Sequence, residues 1–259
     1  MMTRRAFQSS LAALPAAAAA GSPAAEQPTA TLSENFPTQP VELVRETVTV
    51  AHGNVKRLKE LVDARPSLAK AAYDWGFGDW EDALGAASHV GNREIAEYLI
   101  AKGARPTLYS AAMLGQLEVV KAFVAAQPGC QRIPGPHSIP LLAHAKMGGA
   151  AAEPVLRYLE SLGDAGSPAA SPITVEEMSA LAGTYVFGTG PRDSVDISMA
   201  RGQLTFTRKG TSAHGLVHVG GLSFFPTGAS AARVSFTLDK SLATLTVHDP
   251  DPVIVAKKM

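Results

Sequence analysis

The chain has 259 residues, of which 46% are hydrophobic and 18% charged. This is room for one large domain or two of ordinary size. Lys and Arg (23) cancel Asp and Glu (23), which excludes the broad basic footprint that nucleic acid or an anionic membrane surface requires. The single cysteine, Cys130, excludes an internal disulfide framework and a Cys-rich zinc or iron–sulfur site. Beyond the N-terminal segment no apolar run reaches the length of a membrane span.

Residues 1–25 contain no acidic residue; Arg4 and Arg5 precede Phe7 and a mildly apolar Ala/Leu stretch broken by Pro15. The run Thr3-Arg4-Arg5-Ala6-Phe7 resembles the twin-arginine export signal of bacteria, with small residues from Ala18 to Ala25 suited to signal peptidase. The resemblance implies export to the periplasm or beyond. Residues 26–41, rich in Pro, Ser, Thr and Gln, are expected to form a flexible linker.

Self-similarity follows. Four segments share a small-residue helix, a glycine turn and a second helix with apolar residues near i, i+3 and i+4. They run from Val48 through Gly53 to Val62, from Leu84 through Gly91 to Ile100, from Leu108 through Gly115 to Val124, and from Leu141 through Gly148 to Leu159. Each glycine falls where two short helices must reverse, a position that asks for positive φ. Ala87, Ala111 and Ala112 are small where a first helix would press on its neighbours, while Ile95, Leu99 and Ile100 supply a larger layer. Pro154 restarts the last second helix at a favourable first position.

On these residues the segment 42–165 resembles the ankyrin-repeat family, most closely from Asp82-Ala83-Leu84 to Gly103-Ala104. Asp82-Ala-Leu-Gly85 replaces the family's Thr-Pro-Leu-His. The Gly91-to-Gly115 spacing of 24, against a repeat of about 33, implies a deleted β-hairpin finger. The resemblance implies a solenoid of about four repeats that recognises a protein or peptide through finger tips and the concave helical face.

Residues 166–172 form a Pro/Ser/Ala joint. After a short helix, Val175 to Leu181, the period changes from 3.6 to 2. Val195, Ile197 and Met199 alternate with Asp196 and Ser198, and Val234, Phe236 and Leu238 with Ser235 and Thr237. Glycine and Asp/Pro turns divide residues 173–259 into about eight strands, an antiparallel meander that closes or folds over one apolar face. The Leu-Ala-Gly-Thr-Tyr opening is similar to the small β module appended to serine β-lactamase-like hydrolases, which implies no chemistry of its own. The fold class expected is therefore α+β multidomain, an α-helical ankyrin-like solenoid followed by a small all-β domain.

No catalytic constellation meets spacing and context together. Ser67-Leu-Ala-Lys70 matches Ser-x-x-Lys, but no partner motif accompanies it, so Ser67 is expected to cap a helix. His214 and His218 share parity on one strand, and His248 lies beside Asp249 and Asp251. Yet the first two are about 13 Å apart along an ideal strand, too far for one ion. His52, His89 and His144 sit in or beside first helices and are expected to be polar repeat-face positions. Cys130 is expected to be a partly buried, inert thiol. No catalytic, metal or cofactor residue is therefore expected.

The segment Tyr73-Asp-Trp-Gly-Phe-Gly-Asp-Trp-Glu81 holds both tryptophans of the chain. Aromatics beside carboxylates on a loop have the composition of a recognition hot spot; the same tryptophans packing under the finger is the other reading, and the two can coexist. With the resemblance, the expected protein-binding residues are Trp75, Phe77, Asp79, Trp80, Glu81, Tyr109 and Met113. The function expected is a non-catalytic, exported adaptor for a protein or peptide partner. The alternative is a small apolar ligand held in the β domain with the repeats as adaptor.

Overall fold

Small residues dictate how the helical part is layered. The computed structural model describes residues 36–167, 170–239, 242–249 and 251–259, with residues 39–259 in one compact unit. The expected export signal and most of the expected linker lie outside the described residues. Among those described, paired helices occupy residues 41–162: α1 (Val41–Val50) with α2 (Val55–Ala64), α3 (Ala83–His89) with α4 (Arg93–Ala101), α5 (Leu108–Met113) with α6 (Leu117–Ala126), and α7 (Leu141–Met147) with α8 (Glu153–Leu162). In α3, Ala83 to Ser88 are all buried, because a helix of Ala, Gly and Ser can be approached from several sides at once; α1, α4, α5 and α7 all pack on it.

The second helices of the first two pairs begin at Gly-Asn. Asn54 accepts from the Arg57 amide and Asn92 from the Ile95 amide, which satisfies donors the helix starts leave over. Positive φ is found at Gly91 (75°) and Gly115 (77°) but not at Gly148 (φ −72°), and Gly53 has none either. The expectation of one glycine role at all four turns is thus corrected. Gly148 is there for closeness, since a Cβ on it would run into the Met113 carbonyl. Ser67 does not cap a helix. It lies inside a 3-10 turn, Pro66–Lys70, and its hydroxyl accepts from Gln39 Nε2 at 3.0 Å. Cys130 is buried and unpaired.

Between the first two helix pairs stands a hairpin, β1 (Ala72–Asp74) and β2 (Trp80–Asp82), the two-stranded sheet of the described residues. After α9 (Val175–Leu181) come eight strands: β3 (Gly183–Val186), β4 (Ser194–Ala200), β5 (Gln203–Arg208), β6 (His214–Gly220), β7 (Ser223–Pro226), β8 (Arg233–Asp239), β9 (Leu242–His248) and β10 (Pro252–Lys258). Each is antiparallel to the next, and β3 pairs with β10, so the sheet closes into a barrel without a free edge. The fold is α+β, with helices and a closed eight-stranded antiparallel barrel. Tyr185, Val195, Ile197, Leu204, Phe206, Leu216, Phe224, Phe236 and Leu245 meet inside, and Met178 and Leu181 of α9 join the same core. Two further cores lie under α1–α4 and α5–α8. No helix among the described residues is long and apolar enough to cross a membrane.

Candidate metal centre

The hairpin's alternation sends successive side chains to opposite faces. Trp80 points out and is 63% exposed, whereas Glu81 is fully buried. Three consecutive tip residues have positive φ, Gly76 (128°), Phe77 (58°) and Gly78 (77°), and this backbone swings Phe77 onto the barrel, edge-on to Phe206 and His214 with centroids 5.4 Å away in each case. Trp75 is half-buried, and its Nε1 donates to Glu81 Oε2 at 2.8 Å. Asp79 is buried, and Met113 lies inside the helical core. Tyr109 is half-buried, with its hydroxyl donating to the Ile133 carbonyl. Of the seven expected binding residues, Trp80 alone presents a largely exposed face; Asp79, Glu81 and Met113 offer no surface to a partner because they are packed inside.

Around Glu81 three imidazoles converge. His52 comes from the turn after α1, His89 ends α3, and His137 sits in the 3-10 turn Pro136–Ser138. One donor atom from each of these four residues lies within 4.8 Å of every other. His89 Nε2 is 2.8 Å from Glu81 Oε1 and 3.1 Å from His52 Nε2. His52 Nε2 is 3.6 Å from Glu81 Oε1, and His137 Nε2 is 3.4 Å from Glu81 Oε2. A tetrahedral ion with bonds near 2.0–2.1 Å sets its ligand atoms about 3.3 Å apart; the His52, His89 and Glu81 Oε1 atoms lie 2.8–3.6 Å from one another, and with His137 included every pair is within 4.8 Å. His89 Nε2 has both Glu81 Oε1 and His52 Nε2 within hydrogen-bond reach.

The outer nitrogens fix the ring tautomers. His52 Nδ1 lies 3.2 Å from the Val48 carbonyl and 3.1 Å from that of Thr49. Carbonyls only accept, so Nδ1 carries a hydrogen and Nε2 is the nitrogen that faces inward. His137 Nδ1 meets Asp79 Oδ2 at 2.7 Å, while the His137 amide donates to Asp79 Oδ1 at 2.9 Å. A carboxylate behind a histidine in this way orients metal-binding imidazoles and raises their basicity. His137 (φ 58°) and Ser138 (φ 59°) are held in the left-handed region, a strained conformation that persists where the surroundings over-determine it. Asp79 does so from one side. From the other, the Gly228 amide of the barrel donates to Ser138 Oγ at 2.7 Å.

Charge follows the same geometry. Burial acts to raise the Glu81 carboxyl, but hydrogen bonds with His137 and His89 and the charges of His137 and His52 outweigh it and hold the group at about 2. Burial acts to lower His137; Asp79 and Glu81, through hydrogen bonds and charge, raise it to about 10. His144, beside His89 at a 6.5 Å ring separation, is lowered by burial to about 4, and its Nε2 has no partner. The ligand side is reached through a chamber of about 330 Å³ lined by His52, Trp75, His137, Ser212, Ala213, His214 and Thr227. His52 and His137 are about a third exposed there (32% and 31%), so the helical side supplies the donors and the barrel the opposite wall.

The strand histidines are kept apart. His214 Nε2 reaches the Trp75 carbonyl at 3.1 Å, His218 is bonded to the Ser171 and Gly221 carbonyls, and His248 is beside Ser235. Sequence reasoning saw His52, His89 and Glu81 separately and did not weigh His137. The signal within reach was that His52 and His89 stand just ahead of turn glycines in successive helix pairs, which sets them on neighbouring helices. Set against protein-family models, curated proteins and solved structures, the chain matches none.

Proposed function

We propose that this protein binds a divalent transition-metal ion, zinc foremost, through His52, Glu81, His89 and His137, and presents it to the chamber between helices and barrel. The observation that carries the proposal is the convergence of four donor atoms from four separate segments, with His52 and His137 each fixed Nε2-inward. Three imidazoles and one carboxylate suit a borderline ion such as zinc rather than the all-oxygen shells of calcium or magnesium. Four protein donors would fill a tetrahedral shell, and such an ion would tie the four segments together.

Zinc titration of the chelator-stripped full chain, read by elemental analysis after dialysis, is expected to give one ion per chain. His89→Ala and His52→Ala should each weaken uptake at least tenfold. A wild-type chain that takes up no zinc at micromolar free ion overturns the proposal.

The adaptor reading, with residues 42–165 as ankyrin-like repeats, is supported by the glycine-turned helix pairs and by exposed Trp80. It is the weaker of the two, because Asp79 and Glu81 of the proposed recognition loop face inward. The apolar-ligand alternative would require displacing the side chains that fill the barrel.

A further inference from the structure

The chamber over the histidines has a neighbour. A second cavity of about 330 Å³ lies beside it between the hairpin and strands β5 and β6, and Trp75, Ser212 and His214 line both, with His214 Nε2 on the Trp75 carbonyl. The first opens on the His52–His137 edge. The second is walled by Tyr73, Trp75, Phe77 and Phe206, two edge-on aromatic pairs with centroids 4.9 and 5.4 Å apart. Above this wall the Arg45 guanidinium stacks 5.8 Å from the Tyr73 ring and 6.0 Å from that of Trp75.

Arg57, Arg93, Arg132 and Arg157 each hold a carboxylate at 2.7–3.3 Å, whereas Arg45 forms no ion pair among the described residues. Held over these rings, the exposed guanidinium spends none of its N–H groups on a carboxylate of the described residues, and a guanidinium so placed takes a planar carboxylate through paired hydrogen bonds. Arg208, on the same cavity, is paired with Asp193 at 3.9 Å. The one acid on this wall, Asp74, has Oδ1 engaged by the Gly76 amide at 2.9 Å.

We infer that the groove is a binding site for a small aromatic carboxylate, its carboxylate on Arg45, its ring against Trp75 and Phe77, and its remaining polar group directed to the histidine end. Only the last of these contacts rests on the metal proposal.

N-acetyl-phenylalanine is a suitable probe, since it joins a ring and a carboxylate to an amide carbonyl. Calorimetric titration into the zinc-loaded full chain is expected to show one saturable site. Arg45→Ala should weaken binding at least tenfold with zinc uptake unchanged, and the uncharged N-acetyl-phenylalaninamide should bind at least tenfold more weakly to the wild type. Absence of binding to a chain that holds zinc overturns the inference, as does equal binding of acid and amide. Binding that depends on Arg45 in a chain that takes up no zinc upholds the groove and removes the metal proposal alone.

Discussion

Asp79 and Gly228 show how much of the candidate centre depends on single residues. The Asp79 carboxylate spends one oxygen on the His137 amide and the other on Nδ1 of the same residue, and so fixes a strained backbone and a tautomer together. Asp79→Asn keeps the shape but leaves one accepting oxygen for two donors. Zinc affinity is therefore expected to fall about 10–100-fold with the helical circular dichroism retained, as measured by competition with a chromophoric chelator; an unchanged affinity would show that Asp79 does not orient the ring. Gly228 has φ 83°, and a Cβ there would run into that same carboxylate. Gly228→Ala should lower stability by about 1–3 kcal/mol and also weaken zinc binding, because the clash displaces the group behind His137.

At the scale of elements, the barrel was legible because a half-buried strand writes itself as alternation. Val195 and Ile197 are buried where Asp196 and Ser198 were expected to face out, and the helix Val175–Leu181 stands where the joint ends. The centre was not legible, since its four donors are adjacent neither in sequence nor within one periodic face, and His137 lies in an irregular segment with no pattern to read. The glycines were half legible. Turn chemistry flags them, but the approach of one turn to the next element needs coordinates: a Cβ on Gly115 would meet the Ala151 carbonyl, and on Gly148 that of Met113. Gly148→Ala, whose φ any residue can adopt, is thus expected to destabilise by about 1–3 kcal/mol, a fall in chemical-denaturation midpoint that sterics alone explains. Where α9 meets the barrel, the Tyr185 hydroxyl donates to the Leu181 carbonyl at 2.8 Å, and burial pushes the phenol up to about 12. Because the folded chain holds this proton more tightly than an unfolded chain with a phenol near 10, the contribution is complete below about pH 10 and disappears as pH rises towards 12. Tyr185→Phe should therefore be less stable than wild type by about 1 kcal/mol at pH 8. In denaturant melts the gap should narrow above pH 10; a gap that widens there contradicts the assignment.

Across the whole molecule, helices and barrel divide the work at one seam. Every candidate ligand comes from the helical side, while the barrel contributes the far wall, the Gly228 amide under Ser138 and His214 on the Trp75 carbonyl. An ion bound at the centre therefore ties the turn after α1, the hairpin and the 3-10 turn at residues 136–138 together, and it stabilises the folded chain by linkage. Free zinc at a hundredfold its dissociation constant adds about 2.7 kcal/mol, which for a chain of this size raises the melting temperature by roughly 5–11 °C. The shift should shrink by about half or more in His89→Ala and reverse on adding a chelator. Hydrogen exchange locates it: zinc should slow exchange most in residues 72–82 and 130–140, whose opening separates the ligands, and least in β9 and β10, because neither strand touches the centre. Protection spread evenly over helices and barrel would mean that zinc acts on global unfolding alone, and the hairpin and the His137 turn would then not be the parts the ion holds.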